Sequence, residues 1–331
     1  MEYVTLGRSG LVVSRLCLGT MTFGREADEA ASQAMVDAFV DAGGNFVDTA
    51  DVYTHGISEE ITGRAIAARR DQIVLATKVR WAMGDGPNDI GLSRRHVIAA
   101  CEASLRRLGT DWIDLYQLHM WDDLTPIEET LSALTDLVRD GKVRYVGASN
   151  FVGWHLLRAE MAAALHGFER LVSLQPQYSL IERGLEREIG PAAQSLGLGL
   201  IPWAPLAQGM LTGKYTRSGP AAGTRMAEAD HAAVEKWERR DIERNWQIVE
   251  AVGEVAAEVD RTPSQVAINW LLTREGVAAP IVGARRVGQL EDNLGAVGWR
   301  LEPEQVARLD AVSAPLPQHP YDFIAEGQRR L

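Results

Sequence analysis

Apolar and polar positions along the chain follow two alternating rhythms. Short, largely apolar runs recur, and between them apolar positions return every three or four residues. The runs are Leu16–Thr20, Asn45–Ala50, Ile73–Lys78, Ile113–His119, Val143–Ser149, Val172–Tyr178, Gly199–Pro205 and Pro280–Ala284. They start roughly 25 to 40 residues apart until the last, a spacing that leaves room for a crossover helix each time. Most have no polar face, which predicts a parallel sheet covered by helices.

The intervening segments carry helix signals. Thr125, Pro126 and Glu128 predict a capped start, with Ile127, Leu131, Leu134 and Val138 on one face and Gly141 as the stop. Thr262, Pro263 and Gln265 repeat the device. Ser93 opens another helix that aligns Val97, Cys101, Leu105 and Leu108 and stops at Gly109. Residues 30–44 and 154–167 have the same periodicity. Eight strands alternating with helices, without a break in composition, predict a (β/α)8 barrel as one domain over residues 1–331. An open, doubly wound sheet is the competitor, but Ser14–Gly24 lacks the G-x-G-x-x-G turn it needs. An N-terminal hairpin turned at Arg8–Gly10, a long loop at 208–240 after strand seven, and a Pro-rich tail from Ser313 are the expected additions.

Composition narrows function more than fold. A 46% hydrophobic chain of 331 residues can bury a large core. A net charge of −11 without a basic block argues against a nucleic-acid partner. Cys17 and Cys101 lie far apart and suggest a reducing compartment. There is no signal-peptide pattern and no apolar run near the ~18 residues of a membrane span, so a cytoplasmic protein without a membrane partner is expected. The histidines show no H-E-x-x-H or other metal spacing, and no metal is expected. Gly209–Lys214 resembles a phosphate loop superficially, but it has the wrong glycine spacing, and Tyr215 stands where Ser or Thr is needed. No G-x-S-x-G elbow is present.

Barrel chemistry sits at the carboxyl ends of strands. Those ends carry Asp48, Lys78, His119, Ser149 with Asn150, Gln175 and Trp203, and Tyr53 follows in the loop beyond Asp48. Asp48 is a plausible ion-pair partner for Lys78, and a cation beside the Tyr53 phenol lowers its pKa from about 10. A phenol tuned in this way can pass a proton to an oxygen, with His119 hydrogen-bonding the same oxygen. Each residue taken alone is more commonly structural; four of them at adjacent strand ends favour a site.

"NFVDTADVY", "LATKV", "DLYQLHMWD", "GKVRYVGASNF", "SLQPQYSLIER", "IPWAPLAQGMLTGKY" and "IVGARRVGQLEDNL" occur in this order. Together they resemble the successive signatures of the aldo-keto reductase superfamily, in the branch with potassium-channel β subunits and many bacterial reductases. The resemblance implies a barrel that binds NADP(H), with NAD(H) also open, and passes hydride between the nicotinamide and a carbonyl carbon. It implies catalytic roles for Asp48, Tyr53, Lys78 and His119, with Tyr53 as general acid or base. For the cofactor it implies Thr20, Met21 and Asp48 among the contacts, with Ser149, Asn150 and Gln175 at the nicotinamide and Trp203 stacked on it. Ala204, Pro205, Leu206, Gln208 and Lys214 would meet the pyrophosphate, and Arg225 would close over it. Gly283, Arg285, Gln289, Asp292 and Asn293 would hold the adenosine end. Lys214, Arg225 and Arg285 are cationic donors suited to phosphate.

The expected partner is a small carbonyl or alcohol substrate. Met21, Phe23, Tyr53, Trp81, Met83, His119 and Trp121 are expected around it, as a mainly apolar pocket suited to aromatic, terpenoid or polyketide-like carbonyls. A keto-sugar or glycoside oxidoreductase, a cofactor-sensing regulatory subunit, and a Schiff-base isomerase or aldolase using Lys78 are the alternatives. No heptad or exposed apolar helix marks an interface, so the oligomeric state, homo-oligomer included, is open.

Overall fold

The computed structural model describes residues 1–220, 224, 226, 227 and 237–328. Its strands are β1 (Tyr3–Thr5), β2 (Val12–Ser14), β3 (Cys17–Gly19), β4 (Phe46–Asp48) and β5 (Val74–Val79). They continue with β6 (Ile113–Leu118), β7 (Val143–Ser149), β8 (Ser173–Gln175), β9 (Gly199–Leu200) and β10 (Ile281–Gly283). The helices that cover them are α1 (Glu29–Asp41), α2 (Ile57–Ile66), α3 (Arg94–Leu108), α4 (Ile127–Arg139), α5 (Gly153–His166) and α6 (Ile189–Ser195). After β9 come α7 (Trp237–Arg240), α8 (Glu243–Glu258), α9 (Pro263–Leu272), α10 (Val287–Leu294), α11 (Pro303–Val312) and α12 (Tyr321–Gln328).

Strands β3 to β10 form one eight-stranded parallel sheet in the order β10-β3-β4-β5-β6-β7-β8-β9. The seam between β9 and β10 is closed by Ala278 N–H and Ile281 N–H, which donate to Leu200 O and Pro202 O at 2.8 Å each. The fold is therefore the (β/α)8 barrel that the sequence predicts. Strands β8 and β9 are shorter than their apolar runs because Pro176, Pro202 and Pro205 cannot donate to a ladder.

Strand alternation sorts the core into two layers. Leu18, Val47, Leu75, Val79, Tyr116 and Leu118 pack outward among the helices, while Cys17, Phe46, Val74, Ala76 and Leu115 pack inside the barrel. The β1–β2 hairpin plugs the N-terminal end, adding fully buried Leu6 and Val13 to the inner layer. Gly7 makes that plug possible. Its φ is +57°, and a Cβ there would lie 2.5–2.6 Å from Val172 O, Gly197 O and Gly199 N.

Several local expectations need correction. Thr125 does not cap α4; its hydroxyl donates to Asp122 Oδ2 at 2.8 Å, and the cap position falls on Pro126. The box at Thr262 and Gln265 does form, with N–H to Oγ1 and N–H to Oε1 contacts of 3.2 and 3.3 Å. The tail from Ser313 contains a helix, α12. Helix α5 also presents an exposed apolar stripe of Trp154, Leu157, Met161 and Leu165, which the sequence reading did not anticipate. No helix among the described residues is long and apolar enough to cross a membrane.

Candidate active site

Inward-facing positions near the carboxyl ends of the strands switch from apolar to polar. Phe46 is followed two residues on by Asp48, Ala76 by Lys78, and Leu115 by Gln117 and then His119. Parallel register sets Lys78 beside Gln117, and Ser149 beside Gln175. A ring of polar side chains results, on top of an apolar plug.

Lys78 is fully buried and its ammonium uses three acceptors: Asp48 Oδ2 at 2.6 Å, Thr49 O at 2.8 Å and the Tyr53 phenol oxygen at 3.0 Å. Burial works against this charge, but the Asp48 carboxylate and the Tyr53 oxygen outweigh it, and the Lys78 pKa is raised. Asp48 is held in turn by two amides. Gln117 Nε2 and Gln175 Nε2 both donate to its Oδ1 at 2.9 Å, and Gln175 also donates to Gln117 Oε1 at 3.2 Å. Gln117 was not picked out from the sequence; its inward position two residues before His119 was the available signal.

The His119 ring meets the Tyr53 and Trp81 rings edge-on, with centroids 5.9 and 6.3 Å away. Burial, then the charges of Lys78 and Arg80, push its pKa well below the usual imidazole value, so it is neutral at physiological pH. Among the described residues Nδ1, which is buried, has no hydrogen-bond partner, which leaves Nε2 as the nitrogen able to reach a substrate oxygen.

Tyr53 leads into strained backbone. Thr54 and His55 have φ of 50° and 51°, and Gly56 has φ of 92°. Two non-glycine residues in the left-handed region cost about 1 kcal/mol or more each. The Thr54 hydroxyl bonded to Phe23 O at 3.2 Å helps to hold the turn.

The residues expected around the nicotinamide are close-knit. Ser149 Oγ donates to Gln175 O at 2.9 Å, and Asn150 Nδ2 donates to Ser149 Oγ and His119 O at 3.0 Å each. Trp203 Nε1 donates to Asn150 Oδ1 at 3.1 Å. Thr20 is buried, with Oγ1 3.2 Å from Asp48 O and 3.0 Å from Ser58 Oγ. Met21 is half-buried in the loop that follows.

The loop after β9 is conformationally unusual. Ala204, Ala207 and Gln208 have φ of 52°, 46° and 57°, while Pro205 and Leu206 lie between them. Gly209 follows at φ +92°, and a Cβ there would meet Lys214 Nζ at 2.6 Å, so the ammonium folds directly over it. Arg285 lies 3.7 Å from Glu26, and its backbone N–H donates to Gln289 Oε1 at 2.9 Å. Asp292 accepts from Gln265 at 3.2 Å, Asn293 is buried and Gly283 is exposed. Arg225 lies outside the described residues.

The pocket expectations fare unevenly. Trp81 is exposed at the mouth and Met83 is half-buried. Phe23 has no exposed surface and belongs to the core, because the turn from Thr20 to Ala27 folds it inward. Trp121 stacks on His155 at 4.2 Å and meets Phe151 and Trp154 edge-on. A hollow of about 450 Å³ lies at the opposite end of the barrel, lined by Thr5, Arg8, Gln194 and Glu275, and holds none of the expected site residues. Among the described residues no cluster of His, Cys, Asp or Glu could hold a metal ion.

An ammonium-linked phenol and a neutral imidazole at the catalytic end of a (β/α)8 barrel define a protein equipped to exchange a proton with an oxygen atom. Residues 15–314 match the Aldo/keto reductase family, and the chain belongs to that family. It is 43% identical over 324 residues to the uncharacterised oxidoreductase YrpG of Bacillus subtilis, covering 94% of this chain and 96% of that protein. It is 36% identical to a probable voltage-gated potassium channel subunit beta of Oryza sativa, over 96% of this chain and 98% of that one. It is 34% identical to versiconal hemiacetal acetate reductase of Aspergillus parasiticus, over 97% and 99% of the two chains.

Proposed function

We propose that this protein is an NADP(H)-dependent oxidoreductase that interconverts aldehydes or ketones and their alcohols. The observation that carries the reading is the three-way contact of the Lys78 ammonium with Asp48, Thr49 O and the Tyr53 phenol. An ammonium 3.0 Å from the phenol oxygen stabilises the negative charge that grows there as the proton leaves. Tyr53 then gives its proton to the carbonyl oxygen during reduction and takes it back during oxidation. Asp48, with its amide donors Gln117 and Gln175, keeps Lys78 charged. Neutral His119 donates through Nε2 and orients the carbonyl without competing for the proton.

The nicotinamide, when bound, supplies hydride to the carbonyl carbon or accepts it in the reverse direction. Its phosphates suit the residues present. Lys214 over Gly209 and Arg285 beside β10 place cations along one path, and the left-handed backbone between Ala204 and Gly209 is strain of the kind kept at ligand sites. Arg285 favours a cofactor with the extra 2′-phosphate. The relative named versiconal hemiacetal acetate reductase supports carbonyl chemistry.

A fluorescence titration with NADPH and NADH, followed by a carbonyl panel read by NADPH oxidation, tests the reading. Tight NADPH binding and reduction of several carbonyls are expected. NADPH binding without reduction of any panel member, even in single turnover, refutes it. That outcome would favour a cofactor-sensing subunit, a role suggested by the relatives named as channel subunits and by the exposed stripe on α5.

A further inference from the structure

Arg80 follows directly on the end of β5 at Val79. Ala76 packs inside the barrel and Leu75 and Val79 pack outward, so a continued two-residue period would set Arg80 on the same side as Lys78, one layer nearer the mouth. The backbone there is held, with Gly91 N–H donating to Arg80 O at 2.8 Å and His119 N–H to Val79 O at 2.9 Å. The side chain is not held in this way.

A guanidinium has five N–H donors, and other partly buried arginines of this chain commit theirs. Arg15 donates to the carbonyls of Leu272, Val277 and Ala278, and Arg70 to those of Ile73 and Trp112 and to Asp114. Among the described residues, Arg80 makes no side-chain hydrogen bond and no ion pair, and its Nε is buried without an acceptor. Its guanidinium carbon instead lies 5.2 Å from the centre of the Trp81 ring, whose edge meets His119. The Asp122 carboxylate, which feels the Arg80 charge, is taken up by Leu92 N–H, Leu124 N–H and the Thr125 hydroxyl.

We infer that Arg80 binds an acidic group of the substrate, so that the site takes aldehydes or ketones bearing a carboxylate. This rests on the carbonyl-reduction reading above. A planar guanidinium lying against an indole is pre-oriented to meet a carboxylate through two parallel N–H contacts. With net charge −11 the chain as a whole disfavours an anionic substrate, and a local cation at the mouth is what reverses that preference. The mainly apolar pocket expected from sequence thereby gains a charged edge beside Trp81, whose ring meets His119.

The test measures kcat/KM for 4-carboxybenzaldehyde and for its methyl ester, with the wild type, Arg80→Gln and Arg80→Lys. The wild type is expected to favour the acid by about tenfold, near 1.4 kcal/mol. Arg80→Gln should remove the preference through KM for the acid, and Arg80→Lys should restore part of it. Added salt should weaken the acid more than the ester. A wild type that treats acid and ester alike, or an acid-to-ester ratio unchanged in Arg80→Gln, overturns the inference. Reduction of the ester but not the acid overturns it while sparing the carbonyl-reduction reading; reduction of neither overturns it too, and contradicts both readings when no other panel carbonyl is reduced with NADPH bound.

Discussion

One carboxyl near the site makes a claim at the scale of a single residue. Asp51 is fully buried, accepts the Val52 N–H at 2.6 Å through Oδ1, and has no partner for Oδ2 among the described residues. Burial first, and the Glu59 carboxylate second, push its pKa up to about 7, against the Val52 N–H, Arg107 and Lys78. In the unfolded chain the group ionises near 4. Between those values the folded protein holds a proton that the unfolded chain releases, so Asp51 lowers stability as pH rises through that window, levelling above about 7. Asp51→Asn should therefore gain about 4 kcal/mol over the wild type at pH 8 and little at pH 4, since one pKa unit is worth ~1.4 kcal/mol and the shift is about three. Urea midpoints at the two pH values check this, and equal shifts at both would count against it. Asp51 stands inside the sequence signature, yet its strand-tip neighbours Asp48 and Tyr53 drew attention first. Only packing shows that Glu59 and Arg107, joined at 2.7 Å, crowd it.

At the scale of elements, the legible features were those set by periodicity. The eight strands, the stop at Gly109 and the capping box at Thr262 all follow from local chemistry that acts within one segment. The illegible ones depended on partners distant in sequence. Thr125 looks like a cap for α4, but the Asp122 carboxylate competes for its hydroxyl. Phe23 looks like a pocket wall, but its turn folds into the core. Gln117 became visible as a second amide on Asp48 only when strand register set it beside Lys78. The hairpin plug carries the sharpest prediction at this scale. Gly7→Ala forces a Cβ against three backbone atoms in a left-handed conformation, and should cost about 3 kcal/mol or more. Thermal unfolding checks it; a change within 1 °C would show that the hairpin does not need that approach.

At the scale of the whole molecule, the proposed function asks an acidic chain to hold a polyanionic cofactor, and two cations suited to it follow neighbouring strands. Lys214 follows β9 and Arg285 follows β10, the two strands joined at the barrel seam. Arg285→Gln should weaken NADPH binding by about tenfold and NADH binding by less than about twofold, because only one cofactor carries the 2′-phosphate. Equal losses for both in fluorescence titrations would assign Arg285 a structural role. The barrel, the buried ion pair and the strained turn together hold one phenol, and the proposed function requires it to exchange a proton. Turnover of NADPH with a carbonyl substrate by Tyr53→Phe, with cofactor affinity measured on the same sample, tests this most directly. Unchanged NADPH affinity and a rate at least about 100-fold below wild type are expected; a rate within about tenfold of wild type would rule out this role for Tyr53.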